Sequence, residues 1–297
     1  NNNFTVDTLF SLLWVIVPAD TLFVIYYAFH RNDKFFKVNL IIWMVSNLVR
    51  GWVGIFLFVI FFEWCRIHRH GGIRFFKLIS VGALVLTVYP ILSALKWVMR
   101  SSAGKDIDFT DKIDKFNGNF SNINYSDLIV FGVEHIISRL QLTSVLIEVI
   151  NLKDNLQFHL AQGHFVPFWM EGLHGIFIER LFFGEKTKNI SVAFTEYASF
   201  GWVFEVGDWN INVGLPAWFF ITPYLSLLYV VYIIFLCFLS FFLVKLIGET
   251  KGSKDLIWFS WFVYLVPLWL GTFVAFIYAL FVFLVIKILL SYIPNLK

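Results

Sequence analysis

The residues of this 297-residue chain best suited to chemistry are a few cations and acid–base groups set among apolar sequence. Arg50 lies between two apolar stretches. Arg139 sits in a mostly apolar segment, with His135 one helical turn before it on the same face. Arg180 opens Arg-Leu-Phe-Phe-Gly-Glu-Lys186. A guanidinium fork presents parallel N–H groups to two phosphate oxygens, so Arg50, Arg139 and Arg180 suit an anion. Each arginine alone reads better as a snorkelling side chain or an ion-pair member, Arg139 with Glu134 or Glu148. Three of them around one region together point to anion binding. Asp208, in Gly207-Asp208-Trp209, stands where polar sequence returns to apolar sequence. Partial desolvation there would raise its pKa and make it a proton acceptor near neutral pH. The same position also suits an N-cap. His135 is the second acid–base candidate.

Other chemistries find little support. The histidines of the polar region are His135, His159, His164 and His174, and none belongs to a His-Glu-x-x-His helix. Glu171-Gly-Leu-His174 has the spacing of one di-iron ligand pair, but such sites need two copies and more carboxylates. No metal and no cofactor are therefore expected. There is no Gly-x-Ser-x-Gly elbow and no phosphate-binding loop. The net charge of +3 comes without a phosphate-tracking basic run, which argues against nucleic acid. The two cysteines, Cys65 and Cys237, lie in or beside apolar runs, so no disulfide framework is expected.

The elements that must hold these groups are set by hydropathy. The chain is 59% hydrophobic and 14% charged, against roughly 25% charged in soluble domains, so lipid is the expected solvent for much of it. Residues 101–210 are the only long polar region. They carry eight Lys/Arg against fourteen Asp/Glu, a net −6, which leaves +9 on the remainder of a +3 chain. The positive-inside rule puts the basic segment Arg66–Lys77 and the connector Gly248–Asp255 in the cytoplasm, and the acidic region outside. Leu9–Phe29 is a first apolar run, interrupted by Pro18 and by Asp20, an ionisable group at membrane depth. Val38–Cys65 is too long for one upright span and reads as a hairpin turning near Asn47–Gly51. Leu78–Met99 crosses outward. Asp127–Ile150 reads as a helix with Asp127 at its N-cap. Pro216 and Pro223 precede a span from about Tyr224 to Leu246. Leu256–Tyr292, broken at Pro267 and Gly271, reads as a hairpin or a kinked span. The organisation is thus 1–100 transmembrane, 101–212 a large loop and 213–297 transmembrane. The fold class expected is an all-α polytopic integral membrane protein with one large, mainly helical periplasmic loop.

The order of these features resembles the Wzy-type O-antigen polymerases. Asn47-Leu-Val-Arg50-Gly51 is similar to their Arg-Gly motif at a helix start, and Ser138-Arg139-Leu140 to the Arg-Leu segment of their large loop. Glu179-Arg180-Leu-Phe-Phe-Gly-Glu185-Lys186 resembles their Arg segment and following acidic-Lys turn. Gly207-Asp208-Trp209-Asn-Ile-Asn-Val-Gly214 resembles their Gly-Glu-x-Tyr-x-x-Phe-Gly segment, with Asp208 at the Glu position. The chain opens Asn1-Asn2-Asn3, and family members are longer, so an N-terminally truncated chain is expected.

The resemblance implies a helical glycosyltransferase of GT-C-like kind in the bacterial inner membrane, multi-pass, with the large loop periplasmic. It would polymerise undecaprenyl-pyrophosphate-linked oligosaccharide repeat units into O-antigen or another surface polysaccharide, as part of lipopolysaccharide biosynthesis. An acceptor hydroxyl would attack the donor's anomeric carbon as undecaprenyl pyrophosphate leaves. Arg50, Arg139, Arg180 and Lys186 would hold the pyrophosphate and its departing charge. Asp208, or His135, would take the proton. A polysaccharide chain-length regulator is an expected partner. Two alternatives remain: an O-antigen ligase acting on lipid A core, and a lipid-linked glycan transporter or flippase. The His-Asn pair usual in ligases is absent near Asn210–Asn212, and no repeated halves of the transporter kind are visible.

Overall fold

The computed structural model describes residues 18–49, 55–69, 71, 79–80, 82–83, 130, 134, 142–172, 174–175, 188–198 and 211–292. These are mostly helical, and among the described residues the β structure is one isolated parallel bridge, Phe165 to Lys188. The chain forms two compact units, 1–16 with 26–140, and 17–25 with 141–297. Helix α1 (Ala19–His30) crosses that division.

In the first unit, α2 (Phe36–Val49) and α3 (Ile55–Arg69) replace the single long apolar run by two helices, as the hairpin reading requires. Their outer ends meet on one side chain of α1. Tyr27 takes Phe36 edge-on at 4.9 Å and stacks on Phe62 at 5.3 Å. Its hydroxyl donates to Glu63 Oε1 at 2.5 Å. α1 starts directly after Pro18, with Asp20 in the first turn, where a carboxylate faces the positive helix end.

In the second unit, α4 (Leu142–Asn151) and α5 (Lys153–Ala161) are followed by a 3₁₀ turn at Phe168–Met170, then α6 (Ile190–Ala198) and the short α7 (Ala217–Ile221). A second 3₁₀ turn at Pro223–Leu225 leads into α8 (Ser226–Ile247). Pro216 stands at the entry to α7, and Pro223 opens the 3₁₀ turn that separates α7 from α8. α9 (Lys251–Ser260) opens with a capping box between Thr250 and Ser253, both bonds 3.0 Å. It passes into a π-helical turn at Trp261–Leu265 and breaks at Leu268, which adopts φ 63°, before α10 (Leu270–Ser291).

The break at Pro267 resolves Leu256–Tyr292 as a hairpin. Trp261 Nε1 donates to Ser240 Oγ at 3.1 Å, about two-thirds of the way along α8. Lys287 near the end of α10 donates to the Ile247 carbonyl at the end of α8. α8 and α10 therefore run in the same direction and pack on each other, and α9 with its π turn climbs back in the opposite direction. Freed carbonyls at the break are used by the chain entering α7: Leu215 N–H donates to Val266 O at 3.0 Å and Gly214 N–H to Pro267 O at 3.3 Å.

Pro223–Ile247 and Leu270–Ser291 are long and apolar enough to cross a membrane, each with mean hydropathy 2.8. Their length of 22–25 residues matches a hydrocarbon core of about 30 Å at about 1.5 Å per residue. Large apolar side chains stay outward: Leu227 is 78% exposed and Phe238 64%. Such a face suits lipid, which is compatible with membrane insertion.

Candidate functional site

The core at one end of α8 and α10 is aromatic. Phe168 is its hub, in edge or tilted contact with Trp169, Trp218, Tyr229 and Tyr232 at centroid distances of 4.8 to 5.7 Å. The segment Phe165–Met170 is pinned by Val166 N–H donating to Lys188 O at 2.9 Å. Tyr229 closes over it and donates to the Leu215 carbonyl at 2.8 Å.

Glu171 follows this segment in extended conformation and is 4% exposed. Its position is enforced by Gly172. Gly172 has φ 125°, where side chains are strained, and a Cβ there would lie 2.9 Å from Val274 of α10. Across the contact, a Cβ on Gly271 would stand 3.6 Å from the Gly172 nitrogen. Backbone thus lies directly against α10 at the residue after the buried carboxyl.

Among the described residues, the hydrogen bond to that carboxyl comes from Ile190 N–H, the first residue of α6, at 3.4 Å to Oε1. Asn189 caps the same helix end, its Oδ1 accepting from Val192 N–H at 3.0 Å. The two influences on Glu171 oppose each other. Burial favours the neutral acid, and the Ile190 bond favours the anion. Burial prevails and pushes the pKa from 4.5 up to about 8. At neutral pH Glu171 therefore holds a proton, which it can release with a modest change in surroundings. Its charge, when formed, reaches Tyr229 and Tyr232.

Two further polar atoms are buried without hydrogen-bond partners among the described residues: Trp218 Nε1, a donor, and Asn212 Oδ1, an acceptor. Leaving such a group unpaired costs roughly 1–3 kcal/mol. Nearby, a cleft of about 320 Å³ is lined by Thr143, Leu146, Gly214, Leu215, Pro216 and Val266. Its mostly apolar lining suits a hydrocarbon chain.

The Glu171–His174 spacing does not form a helical ligand pair. Glu171 is extended and turned inward, while His174 Nε2 lies 2.5 Å from the Trp169 carbonyl. A carbonyl only accepts, so that nitrogen carries the proton. Among the described residues no three His, Cys, Asp or Glu side chains cluster for a metal.

Arg50, His135, Arg139, Arg180, Lys186 and Asp208, the residues singled out from sequence, lie outside the described residues. Gly104–Ser126 and Asp127 lie outside them too. Glu171 carried a sequence signal that was read only as metal spacing. It is the one carboxylate closing the apolar run Phe165–Met170, and a lone acid in such a run is a burial candidate. Comparison with protein-family models, curated proteins and solved structures finds no match to this chain.

Proposed function

We propose that this chain is an integral membrane glycosyltransferase of the Wzy type, polymerising undecaprenyl-pyrophosphate-linked repeat units at the periplasmic face of the bacterial inner membrane. The structural observation that carries the reading is a buried, protonatable carboxyl in an aromatic core at one end of two membrane-length helices. Polymerisation of a lipid-anchored glycan asks for that combination. An apolar wall receives the polyprenyl chain, and the cleft beside Leu215 and Val266 supplies one. Aromatic faces stack on sugars. A carboxyl moves the acceptor's proton.

In this reading, the acceptor hydroxyl oxygen forms the bond to the anomeric carbon, and the bond from that carbon to the pyrophosphate oxygen breaks. The hydroxyl proton passes to Asp208 or His135, with Glu171 as a further proton carrier. The cations singled out from the sequence, Arg50, Arg139, Arg180 and Lys186, offset the charge of the departing pyrophosphate. The basic ends near Lys245, Lys251, Lys254 and Lys287 are cytoplasmic under the positive-inside rule.

The test is genetic and biochemical. Deletion of the gene in its host removes the glycan ladder and leaves a single repeat unit on the core. Purified full chain in detergent converts lipid-linked repeat units to a ladder. Loss of even the single unit on deletion would transfer the assignment to a ligase. An inert purified chain with accumulation of cytoplasm-facing lipid-linked units on deletion would transfer it to a flippase.

A further inference from the structure

α5 ends in a Schellman motif, and that motif carries a histidine at each of its two facing positions. Gly163 supplies the left-handed residue, φ 74°. Gly163 N–H donates to Leu160 O and His164 N–H to His159 O, both at 3.0 Å. This bond pattern brings the residue after the glycine over the last full turn, where an apolar contact is usual. Here the contact is between imidazoles. His159 Nδ1 and His164 Nδ1 stand 2.8 Å apart, with ring centroids at 4.9 Å. Tyr197 of α6 stacks on a face of His159 at 4.2 Å and 14°, which restrains that ring.

We propose that His159 and His164 form a two-imidazole binding site for a late first-row divalent metal ion, Ni²⁺ or Cu²⁺ ahead of Zn²⁺. The site is independent of the polymerase reading. In the resting pair one Nδ1–H donates to the other Nδ1, so a single proton bridges the two rings. A metal takes that place when the donor ring moves its proton to Nε2, which turns both Nδ1 lone pairs inward with no net proton change. With metal–nitrogen bonds of about 2.0–2.1 Å, two nitrogens at right angles are about 2.9 Å apart, and at the tetrahedral angle about 3.3 Å. Both spans lie within reach of the two rings, and the preference for Ni²⁺ or Cu²⁺ follows from the strong binding of imidazole by the late divalent ions. The rings now point head to head and must tilt. The torsion that tilts an imidazole is soft, and His164, exposed and outside the Tyr197 stack, is the ring free to do so.

The electrostatics favour a ligand rather than a cation at this spot. Partial burial, and then the neighbouring His164, hold His159 below its ordinary pKa. The nearby charges on α6 and its approach, Lys188 and Glu196, are paired with each other at 2.6 Å. With no third protein ligand among the described residues, water completes the coordination and leaves positions open.

The probes are nickel(II) by calorimetry and copper(II) by electron paramagnetic resonance, on the full chain in detergent purified without a histidine tag. Wild type should bind nickel roughly tenfold or more tighter than H159Q or H164Q, because the second imidazole binds intramolecularly. The advantage should fade toward pH 5, where protons compete. The copper spectrum should show two imidazole nitrogens, a reading that needs no variant to fold. Equal nickel affinity in wild type and both folded variants, or copper with a single nitrogen, would show a shared-proton pair only and overturn the site.

Discussion

Two glutamates of this protein live under opposite conditions. Glu63, in the first unit, is surrounded by donors. Arg31 Nε reaches its Oε1 at 2.6 Å, Arg66 Nε reaches Oε2 at 2.9 Å, and Tyr27 adds its hydroxyl. Glu171, in the second unit, has burial instead of partners, with a long bond from one backbone N–H. A carboxylate paired with two guanidiniums and still open to water is satisfied as an anion, and its job is to tie α1 to α3. A carboxyl withdrawn from water beside a helix N-terminus is held near the balance between acid and anion. Charge number therefore says little about role here. The more charged cluster is architecture, and the nearly isolated carboxyl is the chemical candidate.

The largest expected effect separates the two on activity. Glu171→Gln keeps the shape and a hydrogen-bonding oxygen but cannot exchange a proton. Under the proposed polymerase function, polymer formation by the purified chain should fall on the order of 10²-fold or more, the usual scale for losing an acid–base group. Glu63→Gln should stay within about threefold of wild type, since it removes no proton carrier. Equal rates for wild type and Glu171→Gln would confine Glu171 to packing and break the comparison.

The next effect is on stability against pH, and its sign follows from the raised pKa. Between 4.5 and about 8 the native chain keeps a proton on Glu171 that the unfolded chain has released. Stability from this group is fully present below 4.5 and is lost as pH rises through 8. Each unit of the shift corresponds to about 1.4 kcal/mol, so the loss across the window is on the order of a few kcal/mol. Denaturation midpoints in detergent at pH 5 and pH 8.5 should diverge for wild type and converge for Glu171→Gln. A wild-type midpoint that rises toward pH 8.5 relative to the variant would contradict the buried-acid account.

The same contrast explains what could be read from the sequence. α8 and α10 were legible because a lipid-facing helix needs only sustained hydropathy and length, and Pro216, Pro223 and Pro267 marked their limits. The two-helix reading of Val38–Cys65 followed from length alone. Glu171 was legible as a burial candidate, the lone acid closing Phe165–Met170, but the close approach of Gly172 to Val274, about a hundred residues away in the chain, was not. Nothing local to Met170-Glu171-Gly172 announces that partner. The His159–His164 pair was within reach. Gln162-Gly163 is a helix-stop signal, and placing the stop there puts the two histidines face to face. The histidines were counted and the stop was not placed. The cations and Asp208 rest on the ordered motifs, and those residues themselves lie outside the described ones.

The smallest effect sharpens the other side of the comparison. Glu63→Gln leaves Arg31 and Arg66 without their counter-charge, but their side chains are 35% and 42% exposed, so water takes over much of the solvation. A partly exposed pair contributes up to about 1 kcal/mol, and a shared carboxylate with two guanidiniums stays near that scale after solvent screening. Most of the loss should come from the electrostatic share, because Gln keeps an oxygen for Tyr27. Raising salt from about 0.05 to 0.5 M shortens the screening length several-fold and should shrink the difference between wild type and Glu63→Gln. The matching difference for Glu171→Gln, measured at pH 8.5, should change little, because desolvation rather than a solvent-exposed pair sets it. A salt-insensitive loss of several kcal/mol at Glu63 would mean that the cluster is buried in its working environment. It would then belong with Glu171 rather than opposite it.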